Sequence, residues 1–352
     1  MRFHDPGVVR ARPDEEGDRS VGSLRGAARV TVAPAFVPDP LRGYLLAALA
    51  AAGWAAGGLT AKWLFVTTGA AVDPATLSAA RALLSTVMLL VYLGLFRRRE
   101  LVVRLRDLPF LAVFGVAGLA LVHFTYFATI QRTNVPTAIL LEYLAPILVL
   151  GVSVAFLGER MTWALPLGVV ASVTGCALMV GAIGGGGLKV SPDGIAWGLA
   201  SAVFFALYTV LGKYAAPRFS PWTLLTYGLG FATLFWLAYL RGPAPIVGAL
   251  ADGRTFLAVA AMALVSTIVP FGAFLAALHH IDATKASITA TLEPVLAGIA
   301  TYLIPLFYAP LTSLQLLGGA LVILAVVVAQ WPHLMAARAG RALAEPELPP
   351  PA

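Results

Sequence analysis

Along this chain, apolar runs of roughly bilayer length alternate with short polar breaks. Ten such runs can be marked, at 41–65, 74–96, 108–130, 135–157, 163–183, 194–215, 221–240, 256–278, 283–307 and 311–330. Each is near the ~20 residues that a helix needs to cross a hydrocarbon core. The breaks are turn-like: Thr67-Thr68-Gly69 ahead of Asp73-Pro74, Gly184 to Gly187, Arg241-Gly242-Pro243 and Ala309-Pro310. Breaks this short make successive helices neighbours, mostly antiparallel. Residues 1–40 are polar with mixed charge and lack the basic-then-apolar order of a cleavable signal peptide. They and residues 331–352, which end in Pro-Glu-Leu-Pro-Pro-Pro-Ala, are expected to be disordered cytoplasmic tails.

The pattern occurs twice. Residues 140–168 and 288–318 align with Leu144 on Leu292 and Pro146 on Pro294, then, after a two-residue insertion, Thr162 on Thr312 and Gly168 on Gly318. Upstream, Asp73-Pro74-Ala75-Thr76-Leu77 faces Ser220-Pro221-Trp222-Thr223-Leu224, and Lys62 faces Lys213. Five runs per copy is an odd number, so the second copy must enter the membrane upside down relative to the first. The expected fold is an all-α membrane protein with ten transmembrane helices, built as two inverted five-helix repeats at 41–183 and 194–330. Proline has no N–H, so Pro146 and Pro294 should leave the carbonyls of Glu142 and Ala290 unbonded and kink spans four and nine.

Composition agrees. With 59% hydrophobic and 12% charged residues, the chain has too little polar surface to cover a soluble globule of 352 residues. A single cysteine, Cys176, excludes a disulfide framework and a thiolate metal site. The net charge of +7 does not point to nucleic acid, because Arg97, Arg98, Arg99, Arg104 and Arg106 crowd one loop between apolar runs. With the N-terminus inside, the inner loops also carry Arg160, Lys213, Arg218 and Lys285, against Arg132, Lys189, Arg241 and Arg254 outside. That excess predicts a multi-pass protein of the inner (plasma) membrane with both termini cytoplasmic.

The pattern of apolar helix, proline, apolar run, Leu-Gly-Glu-Arg and a glycine-bearing helix resembles the EamA repeat of the drug/metabolite transporter superfamily. The matching residues are Ala145-Pro146, Leu157-Gly158-Glu159-Arg160 and Gly168, then Leu292-Glu293-Pro294-Val295 and Gln315-Leu316-Leu317-Gly318. The chain departs from the family pattern in its second copy, where Phe307-Tyr308-Ala309 replaces Leu-Gly-Glu. The resemblance implies a ten-helix inner-membrane carrier that exports metabolites such as amino acids, and Leu141-Glu142-Tyr143 is similar to the threonine/homoserine exporters of that superfamily.

Ionisable groups inside apolar spans are costly and need a partner or a wet cavity. Four stand out: Arg81, His123, Glu142 and Glu293. If the small-molecule substrate is an amino acid, Arg81 suits its carboxylate and Glu142 its ammonium, with Glu293 as second charge or proton carrier. His123 is a candidate proton relay. Structural alternatives stand beside these roles: a Glu142–Arg81 pair, a Glu293–Lys285 or Glu293–helix-end pair, and a singly bonded buried His123. Trp54, Tyr126, Trp197 and Tyr208 lie within spans and either wall a cavity or pack in the core. Lys62 and Lys213 read as snorkelling, and Glu159 and Arg160 as helix-end residues. No cofactor or metal motif occurs, and the Gly184–Gly187 run lacks the Lys-Ser/Thr of a phosphate loop. Transport would then draw on a gradient, with proton coupling possible and the oligomeric state open. The alternatives are a membrane-embedded enzyme acting on lipid, a carrier of drugs or other solutes, and a sensor or scaffold.

Overall fold

Several helices begin where a short polar side chain precedes a proline. In the computed structural model, which describes residues 38–67, 73–182, 188, 190–304 and 310–344, Asp73 accepts from the backbone N–H groups of Ala75 and Thr76 at 3.0 Å. Asn134, Ser191 and Ser220 accept in the same way from Thr137, Gly194 and Thr223. Such caps satisfy otherwise orphan donors, and a proline in the first turn has no donor to lose. The expectations for residues 1–37, Gly184–Gly187, Phe307-Tyr308-Ala309 and 345–352, and for the side chain of Lys62, lie outside the described residues.

The helices are α1 (Pro40–Thr67), α2 (Pro74–Phe96), α3 (Leu105–Arg132), α4 (Val135–Phe156) and α5 (Ala164–Met179) in the first half. The second half holds α6 (Pro192–Ala215), α7 (Pro221–Tyr239), α8 (Gly253–His280), α9 (Ala283–Leu303) and α10 (Ser313–Ala344). No strand occurs among the described residues. Eight of these helices are long and apolar enough to cross a membrane unaided. α7 passes the same test together with Ala244–Leu250, a short helix set at 106° to it, for up to nine crossings. The expected run at 163–183 is shortened to the 16 residues of α5, which closes at Gly181, whose φ of 76° is the left-handed geometry glycine adopts without strain. At the other end of the chain, α10 runs past the expected boundary at 330 to Ala344, as suits the helix-forming alanines, leucine and arginines of 336–344.

Helices of the first half pack on helices of the second. The most extensive contacts run between α5 and α10, α1 and α8, α3 and α6, α3 and α7, and α4 and α6, and the C-terminal part of α4 lies on the start of α9. Polar contacts tie the helix ends into two groups. In one, Asp39 N–H donates to His280 Nδ1 at 3.1 Å, Thr284 Oγ1 to Glu159 at 2.8 Å, Ser220 Oγ to Glu100, and Lys213 Nζ to the Leu278 and Ile281 carbonyls at 2.8 Å. In the other, Ser191 Oγ donates to the Arg132 carbonyl at 3.2 Å and Gln315 Nε2 to the Met179 carbonyl at 3.2 Å. Lys213 therefore caps the end of α8. Large apolar side chains such as Leu90, Val91, Leu167, Val170, Leu317 and Ile323 remain exposed, as a surface facing lipid requires.

Candidate substrate-binding site

Two helices break at matching places. Helical structure in α4 stops at Glu142, passes through Tyr143-Leu144 and restarts at Ala145, with Pro146 second in the new turn. In α9 it stops at Ala290, passes through Thr291-Leu292 and restarts at Glu293, with Pro294 second. Both breaks leave the pieces joined as a single span. A carbonyl four residues before a proline loses its helical donor, and the Ala290 carbonyl is met by the Tyr143 hydroxyl at 2.9 Å. The same hydroxyl lies 2.6 Å from Glu293 Oε2. One O–H carries one proton, so Tyr143 serves the carbonyl or the carboxylate at any moment.

A second pair of irregularities lies in α3 and α8. α3 widens to π geometry at Val116–Ala120 and α8 at Leu264–Ile268, a shift of 148 positions that also carries Leu144 onto Leu292. π-bulges of this kind cluster at functional sites. The one in α8 turns Ser266 and Thr267 toward α2. There Arg81 Nη2 donates to the Ser266 carbonyl and Oγ at 3.2 Å and to Thr267 Oγ1 at 2.8 Å. The guanidinium also sits 5.2 Å from the Phe127 ring centroid, a favourable cation–π placement.

Glu142 and Glu293 at the breaks, and Arg81 with Ser266 of the α8 bulge, meet at one cavity with about 540 Å³ of space between its lining atoms. Trp54, Arg81, His123, Tyr126, Glu142 and Glu293 all line it, joined by Gly57, Gly58, Phe127, Phe205, Met262, Ser266 and Phe271. The Glu142 carboxylate accepts a hydrogen bond from Ser201 Oγ of α6. Trp54 stands edge-on to Phe205 and Phe271 at 5.6 and 5.2 Å, and His123 to Phe271 at 4.8 Å. Close passage of α1 over the π-bulge depends on Gly57, where a Cβ would meet Ser266 Cβ at 2.3 Å.

The charged groups do not pair with one another. Arg81 is held by hydroxyls and a carbonyl and not by Glu142, and Glu293 is held by Tyr143 and not by Lys285. Among the described residues the one ion pair is Lys285–Asp282, at 2.5 Å. Four buried atoms around the cavity have no hydrogen-bond partner among the described residues: Trp54 Nε1, Arg81 Nε, His123 Nε2 and Tyr126 Oη. Buried polar atoms are nearly always bonded, so this concentration marks a place where a polar ligand would satisfy them. Tyr208 is different. It is fully buried behind Phe271 and Phe205, donates to the Phe271 carbonyl at 3.0 Å, and belongs to the core. Trp197 likewise packs away from the cavity, against Phe124 and under Arg132.

Sequence reasoning overlooked Tyr143, Ser201, Ser266 and Thr267, the residues that hold the charges. The adjacent polar pair Ser266-Thr267 inside an apolar run was a visible signal. Ser201 was not, since a lone serine in a membrane helix is commonplace.

The profile of the EamA-like transporter family matches residues 41–181 and 193–330. The chain belongs to that family. Among relatives of this EamA-like protein is an uncharacterized transporter of Archaeoglobus fulgidus, 34% identical over 230 residues, or 64% of this chain and 76% of the relative. A protein of Streptantibioticus cattleyicolor described as a probable terminal-alkyne amino-acid exporter is 29% identical over 264 residues, covering 72% and 83% of the two chains. An uncharacterized inner membrane transporter of Salmonella typhimurium is 24% identical over 199 residues, covering 56% and 66%. A solved crystal structure shares the fold, with a TM-score of 0.67 at 23% identity over 84% of this chain and 98% of its own. This EamA-like chain is thus a multi-pass membrane protein of a transporter family, and the cavity is its candidate substrate site.

Proposed function

We propose that this protein is a secondary active exporter of small zwitterionic metabolites, amino acids foremost, working by alternating access between two inverted five-helix repeats at 41–183 and 194–330. The observation that carries this reading is the cavity itself. It sets one fixed guanidinium and two carboxylates, none paired with another, beside four unpartnered polar atoms. A zwitterion needs both signs of charge close together in a medium where water does not screen them. Arg81 would take the substrate carboxylate through its unpartnered Nε edge, and Glu142, steadied by Ser201, the ammonium. The relative described as an amino-acid exporter supports this substrate class and outward direction.

Ten crossings are supported by the grouping of helix ends. Short as it is, α5 runs from the end where Glu159 meets Thr284 to the end where the Met179 carbonyl meets Gln315. The repeat itself is supported by the breaks and π-bulges that recur at one shift of 148 positions, and five crossings in each copy would make the two copies inverted.

Glu293 would couple transport to protons, and its contact with Tyr143 supports that role. When ionised it accepts the Tyr143 proton, leaving the Ala290 carbonyl without that donor; when protonated it can donate to the Tyr143 oxygen, freeing the tyrosine to serve the carbonyl. Proton binding thereby changes how α4 is fastened to the broken turn of α9.

Counterflow of labelled amino acid in proteoliposomes tests the reading. Glu142→Gln keeps shape and removes charge, so transport should fall about tenfold or more, since hydrogen bonds to a charged group contribute about 1.5–3 kcal/mol. The amount of folded protein should stay near wild type. Transport at the wild-type rate would remove Glu142 from the substrate site. Glu293→Gln and Tyr143→Phe should both flatten the dependence of transport on pH; an unchanged pH profile in both would discard the proton role.

A further inference from the structure

The polar cavity does not end at Glu293. A second cavity, with about 1120 Å³ between its lining atoms, shares Glu293 and Gly58 with the first and extends toward the helix ends at Asn134, Met179 and Gln315. Its walls are of a different kind: Ala55, Leu59, Ile139, Val180, Ala297 and Leu311 dominate them. Its other polar side chains are already engaged. Asn134 caps Thr137, Gln315 bonds Thr312 and the Met179 carbonyl, and Thr301 bonds the Gly298 carbonyl. The first cavity therefore offers unsatisfied polar atoms and the second offers apolar surface, and Gly58 and Glu293 line both. Among the described residues, no heavy atom outside its own helix backbone stands within 4 Å of where a Gly58 Cβ would be, so packing does not demand glycine there and open space lies beside it, at what would be the neck between the two cavities.

Building on the assignment of the polar cavity as the substrate site, we infer that the substrate is an amino acid with a bulky apolar side chain, its charged head among Arg81, Glu142 and Glu293 and its side chain passing the Gly58 neck into the apolar cavity. The neck and apolar cavity then set specificity. Each methylene removed from water favours binding by about fourfold, so a leucine-sized side chain should be preferred over the methyl group of alanine by well over tenfold.

The test measures leucine, phenylalanine, alanine and serine uptake in proteoliposomes carrying wild type, Gly58→Leu or Ala297→Phe. Gly58→Leu plugs the neck, and Ala297→Phe fills the apolar cavity without touching the polar one. The readout is the ratio of leucine to alanine uptake, which cancels any difference in the amount of protein inserted. Wild type should favour leucine and phenylalanine over alanine and serine by about tenfold or more, and both variants should lower that ratio by about tenfold. Equal wild-type uptake of all four, or an unchanged ratio in both variants, would overturn the inference while leaving the zwitterion site standing. Uptake of none of the four would overturn both. Glu142→Gln, which acts on the head, should lower all four rates together.

Discussion

The carboxylate of Glu159 follows α4 in sequence yet serves α9, accepting from Thr284 Oγ1 at 2.8 Å and from its N–H at 3.4 Å. A helix-end role is what its place after Leu157-Gly158 suggests, and the helix it caps belongs to the other half of the chain. Burial holds its pKa above the ordinary carboxylate value, against the smaller pull of the Thr284 bonds. A carboxyl whose folded pKa is raised contributes an ionisation cost to folding. That cost is absent at pH below the unfolded value, grows as pH rises through the folded value, and is complete above it. Glu159→Gln retains an acceptor for Thr284 without the charge. At neutral pH the variant should unfold at a temperature equal to or above that of wild type, and the difference should close as the pH falls into the ordinary carboxylate range. A variant much less stable at neutral pH would show instead that the negative charge is needed at the start of α9. The same logic separates what was legible at single residues from what was not. Arg81, His123, Glu142 and Glu293 stood out because charge in an apolar run has few explanations. Their holders did not, because hydroxyls such as those of Ser201 and Tyr143 are cheap to place in a membrane helix and acquire meaning only from what stands opposite.

At the scale of elements, α5 and α10 lie against each other through glycines. A Cβ on Gly175 would meet Val322 Cγ2 at 2.7 Å and the Gly318 carbonyl at 2.8 Å, and one on Gly318 would meet the Gly175 carbonyl at 2.7 Å. Backbone contacts this close take the place of a hydrophobic drive that lipid does not supply. Gly175→Ala should push the two helices apart and cost about 1–3 kcal/mol, the usual range for overfilling a packed site. Thermal unfolding in detergent checks it: an unchanged midpoint would mean that the contact relaxes freely. Gly168 and Gly318 were visible in the repeat, as were Asp73-Pro74 and Ser220-Pro221, because glycine and proline leave marks that side-chain packing does not blur. The π-bulges of α3 and α8 were hidden. A π turn uses the same apolar residues as an α turn, and neither Val116–Ala120 nor Leu264–Ile268 contains a proline or an unusual spacing.

For the whole molecule, the number of crossings turns on two helices, α5 and α7. If α5 spans, the segment before α6 lies on the side opposite to the arginine-rich loop after α2; if α5 only dips into the bilayer, the two lie together. If α7 spans, the segment holding Val247 shares the side of the segment before α6. Val102, Val190 and Val247 are 80%, 59% and 63% exposed, so a cysteine at any of them is accessible to reagent. The sole native cysteine, Cys176, is buried and is replaced by alanine first. With the positively charged loop inside, a membrane-impermeant maleimide added to intact cells should label Val190→Cys and Val247→Cys, and should reach Val102→Cys only after the membrane is opened. Labelling of Val102→Cys from outside would reverse the orientation. Protection of Val190→Cys together with Val102→Cys would remove α5 from the count, and with it the odd number of crossings per half that forces the repeats to be inverted. The cross-half contacts of Glu159 with Thr284 and Glu100 with Ser220 argue for the first outcome, since each joins loops that share a side when all ten helices span.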